Sequence, residues 1–360
     1  MREVLVNPQA GYYMHRDVFG QAGDFTTSPE VSQMFGEMIG VWMLNEWFKA
    51  GMPQPVQLVE TGPGRGTLMS DIIRVFSKYN ELIESLHVRL VEVSPHLARV
   101  QEECLCGTST ASNWTGDAFK TSTSRNGIPI SWYRDIQLVP KAFSFFLAHE
   151  FLDALPVHKF QRTESGWREI LVDICESPDS PLHLKMVLTP SRSPATMLIP
   201  EGEERKHLEI CPQAGVFVEH LAERLEESGG VSLIVDYGHM GEKEDTFRAF
   251  KNHQLHDPLS LPGSADLTAD VDFEYLRRCV EGKAYTFGPV SQGKYLTSMG
   301  IGVRLRKLLE VTRDRKEAEN LLSAYDMLVS PQKMGERFKF FAMFPKAMTQ
   351  LLESNPPAGF

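Results

Sequence analysis

Three glycines at alternate positions follow a short apolar run in the first quarter of the chain. The stretch QLVETGPGRGTLMSDIIRVF spans residues 57–76 and contains Gly62, Gly64 and Gly66. Glycine adopts backbone angles closed to other residues and has no Cβ, so a ligand can approach the main chain closely. The pattern predicts a buried strand, a tight turn and an amphipathic helix, whose first amide groups attract anionic groups. We therefore expect a ligand-binding site at this turn.

Carboxylates next to the turn indicate the class of ligand. Glu60 directly precedes the glycines, and Glu92 ends the following predicted strand, in HVRLVEVS. The spacing G-x-G-x-G differs from the dinucleotide fingerprint G-x-G-x-x-G. A carboxylate at the end of the second strand can accept the hydroxyls of a ribose, whereas Glu60 would repel a pyrophosphate and suits a cationic or zwitterionic ligand. S-adenosylmethionine, with a sulfonium and an ammonium group, fits this pattern; glycines that only permit close packing of helix and strand are the alternative.

Seven blocks of the sequence resemble those of the MidA family, which comprises S-adenosylmethionine-dependent protein arginine methyltransferases. Between about Gly11 and about Phe344, in the order of the family, the blocks are GDFTTSPEVSQMFGE, ETGPGRGTL, LVEVSP, AHEFLDALPVHKFQ, VDYGH, PGSADLTADVDF and MGERFKFF. The resemblance implies S-adenosyl-L-methionine as cofactor and symmetric dimethylation of arginine on the 49 kDa-type core subunit of respiratory complex I. It also implies a role in complex I assembly in the mitochondrial matrix. A catalytically silent assembly chaperone and a methyltransferase with another acceptor remain alternatives.

Two carboxylates after the fourth predicted strand suit the acceptor that the resemblance implies. In AHEFLDALP, Glu150 and Asp153 are spaced so that one helical turn would place both on the same side. Carboxylates hold a planar guanidinium through paired, charged hydrogen bonds. We assign Glu150 as the principal guanidinium clamp and Asp153 as its support; a helix cap at Asp153 and a salt bridge at Glu150 are the alternative. HEFLD lacks the second His of the H-E-x-x-H zinc motif, and we expect no metal.

Three further residues are candidates for contact with the methyl donor. Asp135, in WYRD, follows the third predicted strand and could accept a hydrogen bond from the adenine amino group or form a surface salt bridge with Arg134. Thr27 and Ser28 belong to GDFTTS, which precedes a helix with Ser28 as its predicted N-cap and Pro29 as its first residue. The resemblance implies that this segment covers the methyl-donor pocket as a lid. An ordinary capping loop would have the same sequence features.

The fifth predicted strand and a later acidic block supply candidates for the acceptor side. VDYGH contains Asp236, Tyr237 and His239, which close that strand, although backbone amides around a buried Asp236 explain this residue nearly as well. The resemblance places PGSADLTADVDF beside the substrate groove, which makes Asp270 a candidate for substrate binding; a solvated acidic loop is the alternative. Better-known arginine methyltransferases carry a hairpin with two glutamates and a Thr-His-Trp segment. Neither is evident here, so the arginine acceptor depends on the resemblance alone.

Short apolar runs, separated by helix-length intervals, must position these residues. They occur at 57–60, 88–93, 130–133, 143–148 and 231–236, and the runs 284–287 and 338–344 could supply the last two strands. This rhythm predicts an α/β, Rossmann-like class I methyltransferase fold, a doubly wound sheet with ligands beyond the carboxyl ends of its strands. Alternating runs predict an inserted antiparallel β subdomain, and 239–270 is predicted to be a long functional loop. The predicted division is 1–155 for the lid helix and cofactor-binding half, 156–210 for the insertion and 211–360 for the remaining core and substrate-side loops.

The composition limits the partners. The 360 residues carry a formal net charge of −10, which argues against a general nucleic-acid binder and suits a basic, arginine-bearing substrate. The five cysteines are odd in number and form no recognisable disulfide framework, so we expect a reducing compartment. No run of about 18 apolar residues is present, and we expect no membrane span. No Arg-rich and Ser-rich leader follows Met1, so we expect a mitochondrial transit peptide to be absent from this sequence.

Overall fold

Strands and helices alternate along the chain. The computed structural model describes residues 1–15, 18, 26–107, 117–177 and 182–360. The strands in these residues are β1 Val56–Thr61, β2 Leu86–Val91, β3 Lys120–Thr123, β4 Pro129–Tyr133, β5 Phe143–His149, β6 His158–Thr163, β7 Gly166–Ile174, β8 Leu184–Leu188, β9 His207–Ile210, β10 Gly230–His239, β11 Arg248–Lys251, β12 Gln254–His256, β13 Asp266–Thr268, β14 Val271–Asp272, β15 Ala284–Ser291 and β16 Phe338–Pro345. The helices are α1 Arg2–Val6, α2 Ser28–Val31, α3 Gln33–Lys49, α4 Thr67–Phe76, α5 Asn80–Ile83, α6 Pro95–Cys106, α7 Pro212–Ser228, α8 Phe273–Cys279, α9 Gln292–Ser298, α10 Ile301–Val311, α11 Arg315–Val329, α12 Met334–Arg337 and α13 Thr349–Ser354.

The central sheet follows the order β15-β16-β10-β5-β1-β2-β4-β3, and β14 adds to β10. The strands β10, β5, β1, β2 and β4 are parallel, whereas β16 is antiparallel to both of its neighbours. From β1 the chain passes to β2 and β4 on one side and then returns to β5 and β10 on the other side. Open sheets bind ligands at such a reversal, beyond the carboxyl ends of the strands. The predicted α/β class is confirmed, and all seven predicted strands of the sheet are present.

Two helical layers hold the sheet from opposite faces. All six residues of β1 are buried, as expected for a central parallel strand. Leu58 packs into a core that includes Trp42 of α3 and Phe76 of α4. The next residue, Val59, points the other way, into a second core that includes Phe273 of α8. Because both faces are packed, the carboxyl ends of β1 and β5 form a fixed platform for the loops that follow them.

The inserted segment forms a sheet of its own. Strands β8, β7, β6 and β9 are antiparallel neighbours in that order. The segment 239–270 was predicted to be one long loop, and this is wrong. It contains β11, β12 and β13, which form a three-stranded sheet. The three-part division of the chain stays a prediction.

The predicted cap of α2 differs from the structure. Thr27, not Ser28, is the N-cap of α2, and the helix then breaks at Ser32, whose extended backbone lets its side chain accept a hydrogen bond from the N–H of Met34 as the cap of α3. At α4, Gly66 occupies the cap position with φ +83°. The hydroxyl of the next residue, Thr67, donates to Glu30 at 2.5 Å and so joins α4 to α2.

Candidate functional site

A cavity of about 690 Å³ lies at the carboxyl ends of β1 and β5, where the chain order of the sheet reverses. Pockets of this size hold ligands as large as a nucleoside with a side chain. Four of the lining side chains are carboxylates, those of Glu92, Glu150, Asp153 and Asp266. The cavity therefore has the size for such a ligand and a lining with four carboxyl groups, to which Arg2 and Arg337 add two basic side chains.

The glycine turn forms one wall of this cavity. Gly62 and Gly64 line it, with φ of +66° and +55°, in the left-handed region that favours glycine. A Cβ on Gly62 would lie 2.9 Å from the Phe151 ring, too close for any other residue. The carbonyl of Gly64 accepts a hydrogen bond from Gln101 at 2.9 Å, which fixes the turn. The main chain is thus bare and rigid at the place where the sequence predicts close ligand approach.

Glu92 is held in place beside the glycine turn. Its Oε1 accepts from the N–H of Ser94 at 2.7 Å, and its Oε2 accepts from Gln101 at 2.9 Å. The side chain of Gln101 is itself oriented by Trp132, whose ring N–H donates to it at 2.9 Å. Burial raises the pKa of Glu92 to about 7. One network therefore orients both the turn and the carboxylate that is predicted to bind a ribose.

Glu60 borders a second, smaller cavity of about 50 Å³ behind the glycine turn. Its side chain is only 2% exposed, and its Oε2 has no hydrogen-bond partner among the described residues. Burial raises the pKa of Glu60 to about 8 and lowers that of the neighbouring His149 to about 3, so this imidazole is neutral near pH 7. His149 Nε2 and Glu150 Oε1 lie 3.4 Å apart and also lack hydrogen-bond partners. Glu60 Oε2 is thus an orphaned acceptor beside this small cavity and suits an N–H donor of a cationic ligand.

The turn after β5 brings Glu150 and Asp153 to the same cavity without the helix that the sequence predicted. Asp236 accepts hydrogen bonds from three consecutive backbone amides, those of Phe151, Leu152 and Asp153, at 3.0–3.4 Å. Glu150 has φ +48°, a strained conformation for a residue other than glycine, and its N–H donates to β10. A carboxylate on the neighbouring strand thus shapes this turn, and a helical spacing argument could not have revealed it.

Asp153 is anchored by one of its two oxygens. Its Oδ2 accepts from the Thr268 hydroxyl at 2.8 Å and from the hydroxyl of Tyr237, while Oδ1 has no partner among the described residues. The guanidinium carbons of Arg248 and Arg337 each lie 5.3 Å from the centre of the Tyr237 ring. The described residues hold no group of three or more His, Cys, Asp or Glu arranged for a metal ion. Asp153 is thus held through Oδ2, while its buried Oδ1 makes no side-chain hydrogen bond among the described residues.

The predicted site residues fall into two groups. Those that line the main cavity are Thr27, Gly62, Gly64, Glu92, Glu150, Asp153 and Tyr237, and Glu60 lines the smaller one. The lining of these two cavities does not include Ser28, Gly66, Asp135, Asp236, His239 or Asp270. Asp236 has the alternative role considered from sequence, that of a buried acceptor for backbone amides. Direct ligand contact by this second group stays a prediction.

Ser28 and Asp135, two predicted cofactor contacts in the second group, form hydrogen bonds with other groups of the protein. Ser28 is fully buried, and its hydroxyl donates to Gln292 at 3.2 Å while its backbone N–H donates to Glu150. Asp135 is exposed and caps a 3-10 turn by accepting from the N–H of Gln137 at 2.9 Å. Ser28 thus positions a cavity residue, and Asp135 organises the surface after β4.

Two further members stabilise the loop after β10. His239 accepts from the backbone N–H of Gly241 through Nδ1 at 3.0 Å. Asp270 forms ion pairs with Lys243 and, at 2.6 Å, with Arg248. Arg248 in turn lies over the Tyr237 ring, so Asp270 supports the acidic end of the cavity from outside its lining.

Sequence reasoning gave no role to several lining residues that come from distant parts of the chain. The Tyr13 hydroxyl donates to Asp266 at 2.8 Å, which ties the N-terminal segment to the small sheet. Phe250 and His253 of that sheet and Arg337 of α12 also line the cavity. The block MGERFKFF, which contains Arg337, was recognised only as part of the family resemblance, and no spacing rule linked it to the strand ends.

Buried carboxyl groups make the stability of the free protein depend on pH. Burial raises the pKa of Glu60 to about 8 and of Glu92 to about 7, from an ordinary 4.5. Between the ordinary pKa of 4.5 and these raised values, the folded chain keeps protons that the unfolded chain loses. The free energy of unfolding therefore falls as pH rises through this range. We expect Tm, measured by scanning fluorimetry, to fall by several degrees between about pH 6 and about pH 8.5. Glu60→Gln should reduce this fall, and an equal fall in both proteins would contradict the assignment.

Comparisons with known proteins indicate the family of the chain. A family model described as "Putative S-adenosyl-L-methionine-dependent methyltransferase" matches residues 38–290. The mitochondrial protein arginine methyltransferase NDUFAF7 of Rattus norvegicus is 51% identical over 349 residues, which cover 96% of this chain and 80% of that protein. The homologous protein of Homo sapiens is 50% identical over 354 residues, 97% of this chain and 80% of that protein.

A solved structure shares the fold. It is that of a COG1565 superfamily member from Burkholderia thailandensis bound to S-adenosyl-homocysteine, with a TM-score of 0.76 at 23% identity, covering 95% of this chain and 86% of that chain. The likeness confirms the methyltransferase fold that the strand order indicates. The identities to the curated relatives extend over nearly the whole chain. The chain belongs to the MidA-type family of S-adenosyl-L-methionine-dependent methyltransferases.

Proposed function

We propose that the chain is a protein arginine N-methyltransferase that transfers a methyl group from S-adenosyl-L-methionine to a guanidinium nitrogen. The observation that carries this proposal is the pair Glu150 and Asp153. Both carboxyl groups line the main cavity, beyond the end of β5. The name of the curated relatives, protein arginine methyltransferase, supports the same acceptor.

The residues at the glycine end fit the methyl donor. Bare main chain at Gly62 and Gly64 leaves room for the nucleoside, and Glu92 is oriented to accept the ribose hydroxyls. The orphaned Oε2 of Glu60 offers an acceptor for the ammonium group of the amino-acid part. When bound, the cofactor supplies a methyl group on a positively charged sulfur, which an aligned nucleophile displaces in line.

The carboxylates at the other end orient the acceptor and take up its proton. Glu150 binds the guanidinium and determines which nitrogen faces the methyl group. That nitrogen would form a bond to the methyl carbon as the methyl–sulfur bond breaks and the electron pair stays on sulfur, and the Asp153 carboxylate would accept the N–H proton that the nitrogen loses. Burial raises the pKa of Asp153, which makes its carboxylate a better proton acceptor. Tyr237 and Thr268 keep Asp153 in position through Oδ2.

We propose the 49 kDa-type core subunit of respiratory complex I as the protein substrate, with symmetric dimethylarginine as product and complex I assembly in the mitochondrial matrix as the setting. The curated relatives are named mitochondrial. No helix in the described part of the chain has the length and apolar character to cross a bilayer. The acidic chain, with a net charge of −10, favours association with a basic segment.

The test is to incubate the purified chain with S-adenosylmethionine carrying a labelled methyl group and with the purified subunit, and to locate the label by mass spectrometry. We expect methyl groups on arginine, in the symmetric dimethyl form. Tight binding of the subunit without transfer would instead indicate an assembly chaperone. Label on any atom other than a guanidinium nitrogen would contradict the arginine acceptor.

A further inference from the structure

The inserted sheet ends in a two-stranded ribbon. β6 pairs with β7 only as far as Ile170, whereas β7 continues to Ile174 and pairs there with β8 alone. Residues 171–174 and 184–187 therefore project beyond the sheet, by about 13 Å at a rise of about 3.3 Å per residue. A ribbon of two strands is marginally stable by itself in water. This one is expected to gain stability when a partner packs against it.

The ribbon projects at the end of the inserted sheet that meets the cavity. β6 starts shortly after Pro156, and its first residue pairs with Ile210, the last residue of β9, shortly before Gln213. Pro156 and Gln213 both line the cavity. Because β7 is antiparallel to β6, its residues beyond Ile170 extend past the start of β6, on this same side.

One face of the ribbon, together with the adjoining pair Ile170 and Leu188, carries aliphatic side chains, most of which are exposed. In register, the side chains on this face are those of Ile170, Val172 and Ile174 opposite Leu188, Met186 and Leu184. Val172 and Ile174 are 54% and 67% exposed, and Met186 and Leu188 are 38% and 41% exposed. A continuous exposed apolar surface of this kind marks an interaction site.

The ion-paired Lys159 connects the aliphatic face to the wall of the cavity. Lys159 pairs with Ile170 and so shares its face, and the Lys159 ammonium lies 5.2 Å from the centre of the Phe247 ring. Phe247 directly precedes β11, whose Phe250 lines the cavity. A polypeptide with one side chain in the cavity can therefore reach the ribbon along a single surface.

The outer edge of β8 is open. β8 is the last strand of the inserted sheet, and no described strand pairs with its outer side. Its sequence LKMVL contains one charge, Lys185. Edge strands are usually short or protected by charges, because open N–H and C=O groups pair with other chains. This edge has little such protection and is suited to strand addition.

We propose that the ribbon formed by 171–174 and 184–187 docks the acceptor protein. The occupant is an extended segment that adds to the edge of β8, places aliphatic side chains on the Val172 and Met186 face, and delivers a nearby arginine to the cavity. The proposal rests on the proposed function for the identity of the acceptor. The ribbon thus provides affinity for the whole acceptor protein, and the cavity performs the methyl transfer.

The test compares a double variant with a matched control. Val172→Glu with Met186→Lys places opposite charges across the two strands, so the cross-strand pair is kept while the face becomes polar. The control is Val303→Glu with Val311→Lys, at positions of α10 that are 61% and 74% exposed. Biolayer interferometry measures Kd for the 49 kDa-type subunit, and initial rates are measured with the subunit and with the shortest arginine peptide that wild type methylates.

We expect the ribbon variant to weaken Kd for the subunit at least about tenfold, with an unchanged peptide rate and Tm, while the control matches wild type. An unchanged Kd for the subunit would overturn the docking surface. So would a peptide rate that falls as much as the subunit rate. Self-association of wild type in size-exclusion chromatography that the ribbon variant loses, with subunit binding unaffected, would also overturn it, because the ribbon would then pair two copies of this chain. If wild type binds the subunit but transfers no methyl group, the proposed function fails while the binding comparison still tests the ribbon.

Discussion

Glu150→Gln is expected to lower the rate of methyl transfer by at least about 100-fold, equivalent to about 2.7 kcal/mol of transition-state free energy, while the affinity for S-adenosylhomocysteine stays near that of wild type. Glutamine keeps the shape of the side chain but cannot hold a guanidinium with a charged carboxylate. Single-turnover rates with the arginine peptide measure the loss, and calorimetry measures the cofactor affinity.

The pH dependence provides a second readout for Glu150. Burial and the nearby charge of Asp153 raise the pKa of Glu150 to about 8. The carboxyl group is therefore largely protonated at pH 7 in the free enzyme, and kcat/KM for the acceptor should rise between about pH 6.5 and about pH 8.5. Glu150→Gln should show no such rise in kcat/KM. The control Glu281→Gln, at an exposed position, should show the same rise as wild type. If Glu150→Gln transfers methyl groups at a rate close to that of wild type, the assignment of Glu150 to the acceptor site is wrong.

Gly64→Val is expected to weaken S-adenosylhomocysteine binding at least about 100-fold, equivalent to about 2.7 kcal/mol. Gly64 lines the cavity at φ +55°, so valine adds a branched side chain where the ligand approaches and also strains the backbone. Such strain costs about 1–3 kcal/mol. Isothermal titration calorimetry measures the affinity, and thermal unfolding measures the strain.

Gly51→Val separates these two effects. Gly51 has φ +83°, but a Cβ there would meet no atom within 4 Å, and the residue is not part of the cavity lining. It should lose stability to a similar extent and bind S-adenosylhomocysteine like wild type. Equal affinity in Gly64→Val and wild type would show that the glycine turn does not form the cofactor site.

The predicted site residues that line the main cavity lie mostly close to strand ends in the sequence. Gly62, Gly64 and Glu92 follow apolar runs directly, and in a parallel sheet the carboxyl ends of β1 and β2 must meet at one edge. Glu150 was found by the same reasoning, since it follows β5. Local spacing and the geometry of parallel strands suffice for such residues.

The features that sequence reasoning missed depend on contacts between distant segments. Tyr13 and Asp266 are 253 residues apart, and their hydrogen bond exists only because the N-terminal segment packs on the small sheet. The helix predicted after Glu150 does not form, because Asp236 of β10 captures three amide groups of the turn. Propensity and periodicity contain no information on either contact, whereas the strand order makes both understandable.

A crystal structure of the chain with S-adenosylhomocysteine tests the central claim most directly. We predict the ligand in the main cavity, with its ribose hydroxyls on Glu92, its ammonium group near Glu60 and its sulfur directed toward Glu150. A ligand bound elsewhere, or side chains that fill the space beside Gly62 and Gly64, would contradict the account.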